Sequence, residues 1–277
     1  MLFFRADVPE EVAQRKGRRR AVKKAGRAVG ATLVSEMRLR LLINKILNEA
    51  AKLTREKGLP EAQTAKEQLA VDHRIIHDTT FGLVVFAQQL RSFFDTSVRN
   101  LPRWLRPIFE SEEQRQRTAF VATVRATFSV DVTPVVRAAD VASHIDAAMM
   151  NSINQITGMT DELAKRVQNV LMNGALQGKR STDVASALSD QFNWSLKRSK
   201  LIARDQMATF NGALNKVRQK QVGFDKYIWS TSLDERVRPE HAAREGKVFS
   251  WDDPPEDGHP GEPINCRCVA RPYVDVG

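Results

Sequence analysis

Cysteine is scarce in this 277-residue chain: Cys266 and Cys268 are the two present. They stand one residue apart, where an extended chain holds its Cα atoms near the upper limit of disulfide geometry, so a secreted fold stapled by disulfides is disfavoured. Long apolar runs are missing as well. The most apolar short stretch, Phe81 to Ala87, falls far short of the roughly 20 residues that span a bilayer, and no membrane partner is expected. Met1-Leu2-Phe3-Phe4 is followed at once by Arg5 and Asp7, the reverse of the basic-then-apolar order of a secretory signal, which reads as a soluble intracellular protein. There is no internal repeat, no phosphate-cradling glycine loop of the P-loop or dinucleotide type, and no GxSxG or HExxH motif. No catalytic residue is therefore assigned, and the chain is expected not to be an enzyme.

What is present is an ordinary globular composition, 42% apolar and 27% charged, with a net charge of +10 that is unevenly spread. Residues 1–30 hold nine Lys or Arg against three acids, whereas residues 223–277 hold seven against eleven. The segment from 15 to 27 places eight basic residues in thirteen, namely Arg15, Lys16, Arg18, Arg19, Arg20, Lys23, Lys24 and Arg27. With almost no apolar anchor it reads as a mobile arm, and it is the candidate nucleic-acid-binding element, suited to phosphate contact without base readout. The competing reading is a solvated tail, or an arm for an acidic protein patch.

From Leu33 onward the spacing turns helical, with Leu33, Met37, Leu41, Ile43, Ile46, Leu47, Ala50 and Leu53 recurring at three and four and an end near Lys57-Gly58. A second helix is predicted from Pro60 to about Phe94, with Gly82 as its weak point. Pro102 and Pro107 are predicted to break the chain around Trp104. Glu110-Ser111-Glu112-Glu113 then opens a third helix, acids first, that ends before Asp131-Val132-Thr133-Pro134. Further helices are expected at about 137–156, 160–176, 182–191 and 195–221, with caps at Thr160-Asp161 and Ser181-Thr182-Asp183. After Gly223 the texture changes: Tyr227-Ile228-Trp229-Ser230 and Val248-Phe249 read as short strands, and Trp251 to Pro263 as a long proline-rich loop. The predicted fold is mainly α, divided into a basic flexible arm (1–30), an N-terminal helical region (31–128), a central helical bundle (129–222) and a small α+β C-terminal module (223–277).

The residues able to do chemistry gather in that last module. Cys266, Cys268 and His241 form a ligand set that zinc prefers, with Asp234 as a fourth ligand and His259 as its alternative. Positions i and i+2 of a strand share a face, so both sulfurs can reach one ion. One structural zinc would add folding energy to a module with little core. The other reading is that both cysteines are small buried hydrophobes in a reducing compartment and His241 hydrogen-bonds a loop. Arg236 and Arg238 alternate around Val237 and are expected to pair internally with Asp234 or Glu240.

Leu201-Ile202-Ala203-Arg204-Asp205 is followed by Trp229-Ser230-Thr231-Ser232-Leu233-Asp234-Glu235-Arg236-Val237-Arg238-Pro239-Glu240-His241. Gly246, Trp251, Pro254-Pro255, Gly258, Pro260-Gly261 and Ile264-Asn265-Cys266-Arg267-Cys268 come next. In order, gaps and ending this series, from Leu201 to Pro272, resembles the phage Mu F / SPP1 minor head protein family, with Asp205 departing from the threonine and glutamate that often follow the arginine. The resemblance implies a bacteriophage virion component that acts in head morphogenesis and capsid assembly. It would sit inside the head beside portal protein or major capsid protein and packaged double-stranded DNA, after assembly in the bacterial host cytoplasm. It carries over no catalytic residue. Two alternatives come from other classes. A metal-dependent phage nuclease would use His241, His259 and Asn265, but their order is unlike the His, Asn, His arrangement and the module is acidic. A non-viral DNA-binding protein would rest on the basic arm alone.

Overall fold

The computed structural model describes residues 22–26, 28–71 and 80–276. Arg15, Lys16, Arg18, Arg19, Arg20 and Arg27 of the basic segment lie outside these residues. The elements in chain order are β1 (Val22–Ala25), α1 (Leu33–Leu53), a π-helical turn (Thr54–Gly58), α2 (Leu59–Val71), α3 (Phe81–Phe128), a 3-10 turn (Ala138–Val141), α4 (Ala142–Leu176), α5 (Ser181–Gln221), β2 (Lys226–Ser230), α6 (Pro239–Ala242), β3 (Val248–Ser250) and β4 (Val269–Val276). The chain is mainly α with a small α+β C-terminal part, as its spacing indicates.

The helices are fewer and longer than their local signals imply. Neither Pro102 nor Pro107 breaks α3, because Leu101, Leu105 and Phe109 recur every four residues and are wholly buried. Both prolines are on the exposed side, so water can meet the carbonyls they leave without a donor. Glu112 and Glu113, expected in a first helical turn, are buried in the middle of this helix. In α4 the supposed cap Thr160 is internal and donates its hydroxyl to the Thr157 carbonyl at 2.9 Å, while Ile156, Met159 and Leu163 carry the buried stripe past Gly158. In α5, Leu188, Phe192, Ser195 and Ser199 do the same across the expected gap at 191–195. The helix starts at Ser181, where the sequence predicts a cap, but Ser181 Oγ donates to Gln63 Oε1 at 2.5 Å, and the first helical N–H groups bond the Arg180 carbonyl. On α1 the apolar stripe is offset: Leu39, Ile43, Ile46, Leu47 and Ala50 are buried, and Leu33, Met37 and Leu41 are exposed. Both stripes obey helical spacing, and packing selects one.

The described chain forms two compact units that interleave along the sequence. One comprises Met37–Leu105 and Met150–Ala203, and its core is aliphatic and phenylalanine-rich, with Ile43, Leu47, Phe86, Leu90, Phe94, Leu163 and Leu171 all buried.

The other unit comprises Met1–Glu36, Arg106–Met149 and Arg204–Gly277, and it contains the sheet. All pairings are antiparallel in the order β1-β4-β2-β3, with Lys24 opposite Val274, Trp229 opposite Ala270 and Tyr227 opposite Phe249. Lys23 and Lys24, which the sequence assigns to a mobile arm, lie instead in β1, whose backbone is held by β4. The pairing extends to Gly26, whose N–H donates to the Pro272 carbonyl at 2.8 Å and whose carbonyl accepts from Arg271 Nε at 2.8 Å. Two apolar clusters fill this unit. Phe120, Val124, Phe128, Val132, Val136, Val222 and Phe224 form one, and Tyr227, Trp229, Trp251, Cys266, Cys268 and Ala270 form the other.

The same unit holds a buried polar system. Glu112 accepts from Ser35 Oγ at 2.6 Å, Thr32 Oγ1 at 3.0 Å, Arg115 at 2.6 Å and Asn211 Nδ2 at 3.0 Å. Asn215 donates to the Val29 carbonyl at 2.9 Å and accepts from Gln116 at 2.8 Å. Arg218, with no solvent exposure, donates to Glu113 at 2.5 Å. Burial pulls this guanidinium down to about 10, against the Glu113 carboxylate that favours its charge. Burial also opposes ionisation of Glu112, but its bonds from Arg115, Ser35 and Asn211 prevail and hold its carboxyl below the usual range.

A group with a lowered folded-state value adds stability above its unfolded value and loses it as pH falls through the folded one. Glu112→Gln is therefore expected to cost about 1.5–3 kcal/mol at neutral pH, the usual worth of charge-assisted bonds. The difference from wild type should shrink as pH drops below the carboxylate range, as measured by urea unfolding across a pH series. An equal difference at every pH would contradict an ionised, bonded Glu112.

Candidate metal centre

Three segments converge at the end of the sheet. His241 sits on the single-turn helix α6, which begins with Pro239 after an extended Arg238. Cys266 and Cys268 lie on the approach to β4, after Asn265, whose φ of 57° turns the chain. The third segment is the proline-rich loop, which contributes Asp257. His241, Cys266 and Cys268 are all buried, and their ligand atoms lie within 4.8 Å of one another. Nδ1 of His241 is 3.7 Å from Cys266 Sγ and 3.4 Å from Cys268 Sγ. On the far side of the ring, Nε2 is 2.7 Å from the Asp257 carboxylate, which also accepts from Arg244 at 2.5 Å. With Nε2–H donated to Asp257, the lone pair of the neutral ring is on Nδ1, facing both sulfurs. Trp229 meets the His241 ring edge-on, with centroids 5.2 Å apart.

Burial works against the Asp257 carboxylate, yet hydrogen bonds from His241 and Arg244 hold it below its ordinary value. Between the thiols, hydrogen bonding with the Cys268 side chain pulls Cys266 down to about 6, against burial, and the same pairing together with burial pushes Cys268 up. The backbone N–H of Cys268 also points at Cys266 Sγ, at 3.4 Å. One sulfur is thus favoured as thiolate beside a neutral thiol. Two thiols and an imidazole at such separations form a three-donor set of the kind borderline-soft zinc takes.

The expected fourth ligands are elsewhere. Asp234 is exposed and accepts two hydrogen bonds from the Arg267 guanidinium, and the Arg236 backbone N–H donates to it at 3.1 Å. That corrects two expectations together. Asp234 does not join the cluster, and its salt bridge is with Arg267 rather than Arg236 or Arg238, because β4 brings Arg267 alongside from across the module. Arg238 instead donates to the Ile264 carbonyl at 2.8 Å. His259 belongs to an aromatic box, with Nδ1 2.9 Å from Tyr227 Oη and its ring against Trp251 at 4.9 Å. Burial, then Lys216, lowers its pKa and favours the neutral ring.

Three supports of the cluster are not legible in the sequence. Asp257 carries no spacing signal within the loop. Asp205 on α5 accepts from the Asn265 backbone N–H at 2.6 Å, which holds the turn ahead of Cys266. The loop is seated on α5 at a glycine pair: Gly261, at φ +94°, and Gly212 lie so close that a Cβ on Gly212 would be 2.7 Å from the Pro260 carbonyl oxygen. Thr209 Oγ1 adds a bond to the Gly261 carbonyl at 3.1 Å.

The family model described as phage Mu protein F like protein matches residues 165–271. Over those residues the chain is similar to the phage Mu protein F-like family. The Mu F-like segment takes in the whole of α5 and every residue of the cluster, whereas β1 and the carboxylates of α3 lie outside it. An uncharacterized protein of Haemophilus influenzae is 35% identical over 170 residues, which is 60% of this chain and 38% of that protein. The NAD(+)--arginine ADP-ribosyltransferase EFV of Enterococcus faecalis is 26% identical over 130 residues, 42% of this chain and 27% of that protein. The chain thus spans well under half the length of either curated relative. No solved structure matches it.

Gly212→Ala is expected to lift the proline-rich loop from α5, at a cost of about 1–3 kcal/mol for overpacking against backbone. Hydrogen exchange should rise in residues 251–263 more than in β2 or β3. Uniform protection equal to wild type would show that the loop does not depend on this close approach.

Proposed function

We propose that this chain is a minor head protein of a bacteriophage that acts in head morphogenesis from inside the capsid, without catalytic turnover. The observation that carries the reading is the Mu F-like match over residues 165–271. The geometry supports it, because the segments that bear the resemblance, from α5, α6 and the approach to β4, meet in one buried cluster. Its partners in this reading are portal protein or major capsid protein, together with packaged double-stranded DNA. No helix among the described residues is long and apolar enough to cross a membrane.

Quantitative mass spectrometry of purified virions and of emptied ghosts tests the placement. A few copies per particle are expected, and absence from proheads and virions alike would overturn it. The enterococcal relative makes one further measurement necessary: incubation with labelled NAD and an arginine-rich acceptor is expected to transfer no label, and stoichiometric labelling would make the chain an enzyme.

DNA binding is assigned to Arg15, Lys16, Arg18, Arg19 and Arg20. Removing everything before Gly30 would also remove β1, so replacing these five side chains by Gln is the cleaner variant. Its affinity for unrelated duplexes should fall, and its log–log salt dependence should flatten by about 0.9 for each phosphate that is no longer neutralised. Unchanged affinity and slope would mean that the segment's partner is not DNA.

A further inference from the structure

We infer that His241, Cys266 and Cys268 bind one zinc ion through Nδ1 and two thiolates, and that its fourth coordination position opens into an arginine-lined cavity, where it takes water or a small oxyanion. The distances carry the first part. Tetrahedral zinc, with bonds of about 2.3 Å to sulfur and 2.0–2.1 Å to nitrogen, places those two atoms about 3.6 Å apart. The observed separations of 3.4 and 3.7 Å bracket that value. Nδ1 has one lone pair, enough for the one neutral thiol, yet both sulfurs face it. A carboxylate behind the metal-facing ring is the arrangement that fixes the tautomer and raises ligand basicity in zinc sites, and Asp257 occupies that place.

The second part rests on what surrounds the donors. The two groups in the module expected as a fourth ligand are not at the site: Asp234 is engaged by Arg267, and His259 lies in the aromatic box, outside the wall of the cavity that the donors line. The three donors line a cavity of about 160 Å³, shared with Arg204, Arg236, Arg238 and Arg267 and, among the described residues, with no carboxylate in its wall. Asn265, in the same wall, has a buried Oδ1 without a protein partner among the described residues, an acceptor left free for a water or other donor in the cavity. Two thiolates balance the ion's charge, Arg267 is paired with Asp234 and Arg204 lies 3.9 Å from Glu36, so the charge of Arg236 and Arg238 leaves the cavity positive and favours an anion such as phosphate or a carboxylate at the open position. A three-ligand site of this type is open, unlike the four-ligand sites that only cross-link a fold.

The full chain, purified without chelator and analysed for metals, is expected to hold one zinc per molecule. His241→Ala and Cys266→Ser should lose it. Because these variants could unfold, Asp257→Asn is the sharper probe. It keeps every ligand, and competition with a chromophoric chelator should show zinc affinity about 10–100-fold weaker at unchanged helical circular dichroism. Asp234→Asn should bind as wild type. In the cobalt(II)-substituted protein, millimolar phosphate should shift the d–d bands, less so in Arg236→Gln with Arg238→Gln. Folded wild-type protein without stoichiometric zinc, or wild-type affinity in Asp257→Asn, would overturn the metal site. Cobalt bands indifferent to phosphate and acetate would overturn the open position.

Discussion

A guanidinium buried without solvent at position 218 requires a carboxylate, and Glu113 supplies one at 2.5 Å. This pair belongs to a ladder along α5 in which Asn211, Asn215, Arg218 and Gln219 are all buried. Each reaches a different partner. Asn211 bonds Glu112, Asn215 bonds the Val29 carbonyl, Arg218 bonds Glu113, and Gln219 bonds both the Ala270 carbonyl and Trp251 Nε1. Removing one partner of a buried charged pair leaves the other uncompensated, at a typical cost of about 3–5 kcal/mol. Such a system therefore tolerates one arrangement of its segments far better than any other. The segment after β1, the α3 carboxylates and β4 are located by what α5 demands.

The candidate metal centre inherits its geometry from that ladder. Gln219 holds β4 at Ala270, two residues beyond Cys268, and holds the first residue of the proline-rich loop. Asp205, further back on α5, holds the turn at Asn265. The close approach of Gly212 to Pro260 and Gly261 seats the middle of the loop. His241 and the two sulfurs are thus brought together by helix-borne contacts, and Asp257 orients the imidazole from a loop that would otherwise have little to hold it. The aromatic box of Tyr227, Trp251 and His259 packs in the same module.

This geometry also gives a physical meaning to the segments that carry the Mu F-like resemblance. The stretch around Arg204-Asp205, the single turn bearing His241, the glycine at 261 and the Asn-Cys-Arg-Cys ending are far apart in sequence. They are the positions that either supply a donor atom, line the cavity beside it or hold one in place. The acidic balance of the C-terminal module and the basic segment near residue 15 remain separate features of the chain, of opposite charge.

The sequence by itself determined the mainly helical class, the change of texture after Gly223, the strands at 227–230 and 248–249, and the closeness of Cys266 to Cys268. Each is a local property: helical spacing, β-branched and aromatic alternation, or a strand's two-residue period. The tertiary structure decided everything that depends on partners distant in sequence. Pro102 and Pro107 remain helical because an exposed proline loses a bond that water can replace, while Leu101, Leu105 and Phe109 gain burial. Glu112 and Glu113 read as first-turn acids until Asn211 and Arg218 are brought beside them. β1 has no local signal of its own, because the strand that pairs with it, β4, lies at Val269–Val276. Asp234 is close in sequence to His241 and so resembles a fourth ligand, but it pairs with Arg267, which only the folding of β4 against β2 places within reach.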